Sequence, residues 1–155
     1  SGGTTTAGGA REHANPTDLT IVTNSRSIAS RVAVHPRLKV VMTGGILRPQ
    51  SLELVGVLAE GTFTAVNVGT SVLGADGISA EQGVTTHDET EARTNHAMVA
   101  KAQRTIVVAD GSKVGRAALA RMADIAEIDV LITDDSADPD ELARLRSAGV
   151  EVVLA

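Results

Sequence analysis

The sequence predicts an α/β domain with a mostly parallel sheet and helices on both faces. Three observations carry this. Short runs of Val, Ile and Leu alternate with segments of helical apolar spacing, which is the signature of strand–helix units rather than of hairpins. The apolar content is 43% but the aromatic content is 1%, a single Phe with no Trp or Tyr. The core must therefore be Val, Ile, Leu and Ala, as in strands covered on both sides. Finally, each apolar run passes directly into Gly, Asn, Asp or hydroxyl residues, which marks abrupt strand ends. The 155 residues are one domain's worth, 1–155, and enough to bury a core.

Taken in order, residues 1–10 (SGGTTTAGGA) are small and polar. They read either as a loose tail or as a phosphate-cradling turn at a helix start. Residues 19–23 (LTIVT) form a short strand. Asn24 or Ser25 caps the following helix, on which Ile28, Ala29 and Val32 share a face, and His35-Pro36 ends it. Residues 39–43 (KVVMT) are a second strand, closed by Gly44 and Gly45. Residues 46–56 read as a long connection around Pro49, 57–63 as a short helix and 66–72 as the third strand. A helix over 88–102 opens with Asp88 and Glu91 in capping-box spacing, with Ala92, His96, Val99 and Ala102 on one face. Residues 105–109 and 129–133 are further strands. Asp138-Pro139-Asp140-Glu141 is a strong helix start, Leu142 and Leu145 face inward, Gly149 ends the helix, and 150–154 is the last strand.

A parallel sheet offers its ligand crevice beyond the carboxyl ends of its strands. The loops there are Asn24-Ser25, Gly44-Gly45, Gly74 to Asp76, Asp110 to Lys113 and Asp134-Asp135. Their glycines, hydroxyls, acids and one lysine suit an anionic, polyhydroxylated molecule. The stretch 69–91 is the densest: Gly69, Gly74, Gly77 and Gly83 frame Asp76, the pair Thr85-Thr86 and an acidic helix start. Each motif also has a plain reading. Thr23-Asn24 and Ser25 serve as a helix cap, Gly44-Gly45 as a turn, Asp76 as a loop cap, Glu91 as a capping-box acid and Lys113 as a solvated surface charge.

Several functions are excluded or disfavoured. There is no cysteine for a disulfide or thiol nucleophile, which fits a reducing, cytoplasmic setting. The net charge of −5 disfavours nucleic-acid binding by this chain itself. No apolar run reaches membrane-spanning length, and the first residues do not form a signal peptide. Walker A, G-x-G-x-x-G and G-x-S-x-G motifs are absent. His87-Asp88-Glu89 lacks metal-ligand spacing, and His13, His35 and His96 are scattered, so neither metal nor cofactor is expected.

The ordered set GGTTT, LTIVTNS, VVMTGG, VLGADGIS, GVTTHDETEA, IVVADGSKVG and IDVLITD resembles the C-terminal sensor domain of DeoR-type bacterial transcription regulators over nearly the whole chain. That resemblance implies the Rossmann-like fold shared by ribose-5-phosphate isomerase, glucosamine-6-phosphate deaminase and CoA transferases. It implies a domain that binds a phosphorylated sugar or related metabolite, with operator DNA bound only through an N-terminal winged helix-turn-helix absent from this chain. A homo-oligomer, dimer or tetramer, is expected. Residue by residue, the phosphate loop is Gly3, Thr4, Thr5 and Thr6. Thr23 and Asn24 match the family's Thr-Asn pair, Gly44 and Gly45 its diglycine, Asp76 its G-x-D acid, Glu91 the acid opening the next helix and Lys113 the lysine of D-x-S-K. Thr85 and Thr86 complete the expected effector site, and no residue is expected to be catalytic.

The sequence also departs from the pattern. The strand expected before GGTTT is not in this chain. Asn95 stands where the family often has lysine, and Asn67 where it often has aspartate. The rival expectation is an active isomerase or deaminase on the same fold. The isomerases carry Asp-Gly-Ala-Asp-Glu where this chain has Leu73-Gly74-Ala75-Asp76-Gly77, and no lysine lies between Leu73 and Lys101. A binding site without the proton-transfer set is the simpler expectation.

Overall fold

The computed structural model describes residues 19–155. The expected phosphate loop, Gly3 to Thr6, lies outside the described residues, as does His13. The first unit is β1 (Leu19–Thr23), α1 (Arg26–Val32) and β2 (Leu38–Met42). The chain continues through β3 (Ile46–Arg48), β4 (Glu53–Val55), α2 (Val57–Ala65), β5 (Val68–Leu73), β6 (Gly77–Ser79) and β7 (Gly83–Thr86). Helix α3 (Glu89–Lys101) leads into β8 (Ala102–Val108), a 3-10 turn at Gly111–Lys113, β9 (Ala120–Ala123), β10 (Val130–Thr133), α4 (Pro139–Ser147) and β11 (Glu151–Leu154).

Four strands form a parallel sheet in the order β11-β10-β8-β5, and β1 and β2 form a second parallel pair. The register places Leu73 opposite Val107 and Val107 opposite Leu131. All three side chains are fully buried, so one apolar row crosses the sheet from strand to strand. Phe63, Ile78, Val84, Met98, Val99 and Leu145 pack with that row, and Val22 of β1 reaches the same core. Ile28, Val32 and Leu38 form a smaller cluster under α1. These are the mixed α/β architecture and aliphatic core that the composition and periodicity predict.

Local caps account for the helix starts. Ser25 accepts a hydrogen bond from the Ile28 N–H at 3.2 Å, so Ser25 is the cap of α1. Asp138 caps α4 and Pro139 occupies its first turn, where a missing N–H costs nothing. We expect Ser25→Ala to lower stability by about 1 kcal/mol through loss of one satisfied N–H. A urea titration should show a lower midpoint with an unchanged slope, and an unmoved midpoint would show that the cap contributes nothing.

The structure corrects three expectations. Residues 46–56 are not a loose connection: β3 and β4 pair antiparallel, Ile46 with Val55 and Arg48 with Glu53. Gly45 permits this, since its φ is +129° and a Cβ there would lie 2.6 Å from the Val55 carbonyl oxygen. The glycine-rich stretch after β5 is not simply a loop, because β6, β7 and β9 form a three-stranded antiparallel sheet. Finally, His96 does not lie on the buried face of α3. That face is Ala92, Thr94, Asn95, Met98 and Val99, while His96 is exposed and its Nδ1 lies 3.0 Å from the Met122 carbonyl.

Candidate functional site

The end of β1 is held by its own side chains. Thr23 Oγ1 accepts from the Ser25 N–H at 3.0 Å, which turns the chain sharply into α1. The Thr23 carbonyl accepts from the Thr43 N–H at 3.0 Å, bringing in the end of β2 beside Gly44 and Gly45. Asn24 is fully buried and clamps β4: its carbonyl accepts from the Leu54 N–H at 2.7 Å, and its Nδ2 donates to the Leu54 carbonyl at 3.1 Å. Its Nδ2 also lies 3.4 Å from Oδ1 of Asn95 on α3. Segments 71 residues apart thus meet through one amide pair.

Asp76, after β5, accepts from Thr86 Oγ1 at 2.8 Å and from the His87 N–H at 3.1 Å. One of its oxygens therefore caps the turn that leads into α3. Thr85 is buried; it donates to the Gly77 carbonyl at 3.3 Å and accepts from the Ala118 N–H at 2.8 Å. Gly77 is required here, since a Cβ would lie 2.4 Å from the Arg116 carbonyl oxygen. Asp76, Thr85 and Thr86 thus form one locally bonded group, as the loop-cap reading of Asp76 anticipates.

Asp88 caps α3 by accepting from the Glu91 N–H at 2.8 Å. The Glu91 carboxylate does not turn back to close a capping box. It pairs with Arg48 of β3, whose other nitrogen lies 3.4 Å from Asp88. Glu53 of β4, only 1% exposed, stands near enough for its charge to act on Glu91. Burial and the neighbouring Glu53 carboxylate push the Glu91 carboxyl up to about 7, against the pull of Arg48, with Asp76 adding to the rise. One turn further along α3, Asn95 is fully buried, and its Nδ2 has no partner among the described residues. The same holds for Asn24 Oδ1 and Thr43 Oγ1.

Lys113 ends the 3-10 turn after β8, where Asp110 accepts from the Ser112 N–H at 2.9 Å. Val114 bridges Ile78 in parallel, and the Gly115 N–H donates to the Ile78 carbonyl at 2.8 Å. The Lys113 backbone therefore runs beside the start of β6, directly after Asp76. Lys113 is half-buried and takes part in no ion pair among the described residues.

The structure thus joins Thr23, Asn24, Gly44 and Gly45 to Glu91 through β4 and Asn95. It gathers Asp76, Thr85 and Thr86 at the head of α3 and lays the Lys113 segment along β6. Arg48 and Glu53 are residues that sequence reasoning missed. Glu53 had a signal, an acid inside the apolar run LELV. Arg48 had none, because its partners lie 40 or more residues away in segments read as unrelated. A separate open cleft lies between the Ser79–Gln82 turn and α4. Two of its charged side chains pair with each other: Glu141 accepts from the Ala80 N–H at 2.8 Å and from Arg144 at 2.7 Å. No helix among the described residues is long and apolar enough to cross a membrane.

The amino-acid sequence is similar to those of known regulators. The family model described as "DeoR C terminal sensor domain" matches residues 1–135. A protein of Escherichia coli O157:H7 named "Putative aga operon transcriptional repressor" is 41% identical over 152 residues, covering 98% of this chain and 56% of that protein. The "HTH-type transcriptional regulator GlpR" of Haloferax volcanii is 41% identical over 153 residues, covering 97% of this chain and 59% of that protein. The "Glycerol-3-phosphate regulon repressor" of Escherichia coli K12 is 29% identical over 132 residues, covering 85% of this chain and 52% of that protein. The chain spans somewhat more than half the length of each of these relatives.

Proposed function

The chain belongs to the DeoR C-terminal sensor domain family, and from that premise we propose that it is the effector-binding domain of a transcriptional repressor, tuned to a phosphorylated sugar or related metabolite. In this reading Gly3, Thr4, Thr5 and Thr6 offer backbone N–H groups and hydroxyls to the phosphate, and Lys113 supplies the countercharge. Asp76 and Glu91 face the sugar end. Thr23, Asn24, Gly44, Gly45, Thr85 and Thr86 shape the walls. The single observation that carries the reading is the convergence of β1, β4 and α3 on the buried Asn24, which meets Leu54 and Asn95. Thr23-Asn24 follows β1 and the Asp76 turn follows β5, both strands with parallel partners, and such ligands sit beyond the ends of parallel strands.

The relatives carry names of transcriptional repressors and regulators, and one is named for a glycerol-3-phosphate regulon. By extension, a winged helix elsewhere in the intact protein holds operator DNA, and residues 1–155 act as one non-enzymatic unit of a cytoplasmic homo-oligomer. The effector switches the protein only by binding DNA-competent and DNA-incompetent arrangements with different affinity.

A thermal-shift panel of ribose 5-phosphate, glycerol 3-phosphate, glucose 6-phosphate and glucosamine 6-phosphate tests the reading. A true effector at about 100 times its dissociation constant adds roughly 2.7 kcal/mol of stability. A flat panel would sink the sensor reading. Lys113→Ala should weaken phosphate-ligand binding about tenfold or more while leaving unliganded melting in place. Equal affinity in the variant would remove Lys113 from the site.

One observation favours a second reading, an isomerase or deaminase. A carboxyl lifted to about 7 is suited to proton transfer near neutral pH. Turnover of ribose 5-phosphate or glucosamine 6-phosphate, abolished by Glu91→Gln, would establish it. Against it stand the single acid in Leu73-Gly74-Ala75-Asp76-Gly77 and the amide of Asn95 where a lysine would serve.

A further inference from the structure

We propose that the outer face of α1 and the turn after it dock a second copy of this chain, through the acidic unit formed by β10, α4 and β11. Charge is not mixed evenly along the sequence. Between Asp18 and Glu53 there is no acid, and the cations Arg26, Arg31, Arg37, Lys39 and Arg48 all lie there. Residues 123–155 hold nine acids against Arg144 and Arg146. A surface that serves only to stay solvated intersperses the two signs. Here a basic end and an acidic end belong to one chain of net charge −5.

The two ends fall on different parts of the fold. β11 is the edge strand of the main sheet, while β1 and β2 form a pair of their own. Helix α1 buries Ile28, Ala29 and Val32 and leaves Arg26, Ser30 and Arg31 exposed. The next turn is tied by the His35 N–H to the Val32 carbonyl at 3.0 Å and by the Leu38 N–H to the His35 carbonyl at 3.1 Å. It holds Arg37 in solvent, and Val34, between Arg31 and Arg37, is 73% exposed. Among the described residues Arg26, Arg31 and Arg37 take part in no ion pair, whereas Arg48 is divided between Asp88 and Glu91. On the acidic unit Asp135 and Asp140 are exposed and also in no ion pair, and Glu151 meets only Arg104, at 3.9 Å. Val153 and Leu154 of β11 are 40% and 52% exposed, so each surface carries apolar area beside its charge.

Opposite charges on two different surfaces of one chain make a heterologous contact, in which the basic face of one copy meets the acidic face of the next. Nucleic acid is the rival occupant of a basic face. The net charge of the domain repels a polyanion, whereas a second copy brings its own acids. Arg37 stands at the amino end of β2, and Thr43 and Gly44 follow its carboxyl end, so the contact lies away from the effector rim. It gives a surface to the homo-oligomer of the sensor reading, on which it rests, and needs no effector.

The test is sedimentation of the full chain without ligand. Self-association in about 50 mM salt should weaken about tenfold or more in about 1 M salt, where the screening length falls to about 3 Å. Arg31→Glu with Arg37→Glu should leave the chain monomeric, and so should Asp135→Lys with Glu151→Lys, since all four side chains are exposed and none belongs to the core. An equimolar mixture of the two double variants should associate again, because the intact acidic face of the first meets the intact basic face of the second. A fault in folding would not be rescued by mixing. A wild-type monomer at low salt overturns the proposal, as does association that both variants retain or a mixture that stays monomeric. Duplex DNA bound by a wild-type monomer and lost in Arg31→Glu with Arg37→Glu would give the face to nucleic acid instead. Effector binding is read separately by the thermal-shift panel, so a flat panel beside salt-sensitive association would sink the sensor reading alone.

Discussion

Phe63→Ala should lower the free energy of unfolding by about 3–5 kcal/mol. Phe63 is the single aromatic residue of the chain and is 1% exposed. It sits in α2 and packs with Leu73 and Val99 in the main core. An Ala there removes most of a large side chain from a site where β5 and α3 are already fixed by pairing and capping. The cavity cannot collapse without moving the strand that leads to Asp76 or the helix that carries Glu91. Helix α2 is also tied to α3 at its start, where the Gly56 N–H donates to Thr94 Oγ1 at 3.0 Å. A domain of this size has a stability of about 5–15 kcal/mol, so the loss is a large share of the whole. Urea unfolding followed by circular dichroism is the measurement, since the chain has no Trp or Tyr to report by fluorescence. Phe63→Leu should lose only part of the same amount. A loss below about 1 kcal/mol for Phe63→Ala would mean that α2 does not seal the core.

The parts of this fold legible in sequence are those with local causes. Strand β1 coincides with LTIVT because an apolar run of that length ends at a capping pair. Helix α4 starts at Asp138-Pro139 and buries Leu142 and Leu145 because cap, dipole and period agree. The antiparallel strands were not legible for the opposite reason. β3, β4 and β6 have three residues each and β7 and β9 four, too few to display a period of two. They pair because the chain is closed around them, as when Gly77 lets β6 approach the Arg116 carbonyl. Thr94 and Asn95 were hidden for a related reason. Polar side chains on a helix read as its wet face, whereas here they line an internal wall. The order of strand-end loops was enough to name a candidate rim. The charge pattern on that rim was not visible, because it arises between Arg48, Glu53 and Glu91, whose closeness is a product of the β3–β4 hairpin.

That charge pattern makes the stability of the chain fall as pH rises from about 5 to about 8, and Glu91→Gln should remove this component of the fall. The sign follows from proton counting. In the unfolded chain Glu91 titrates at its ordinary value of 4.5, whereas burial and its neighbours push it up to about 7 in the folded protein. Between those two values the folded state holds a proton that the unfolded state has released. Stability therefore decreases with pH across that window, is unaffected by Glu91 below it, and levels off above it. The full amplitude is on the order of 2 to 3 kcal/mol, from the size of the shift and a side chain that is 15% exposed. Gln cannot titrate, so the difference between wild-type and variant urea profiles isolates the slope. The Arg48 ion pair lost in the variant shifts its profile by a constant and does not tilt it above the carboxylate range. Parallel profiles from pH 5 to 8 would show that the Glu91 carboxyl is not raised in the folded protein.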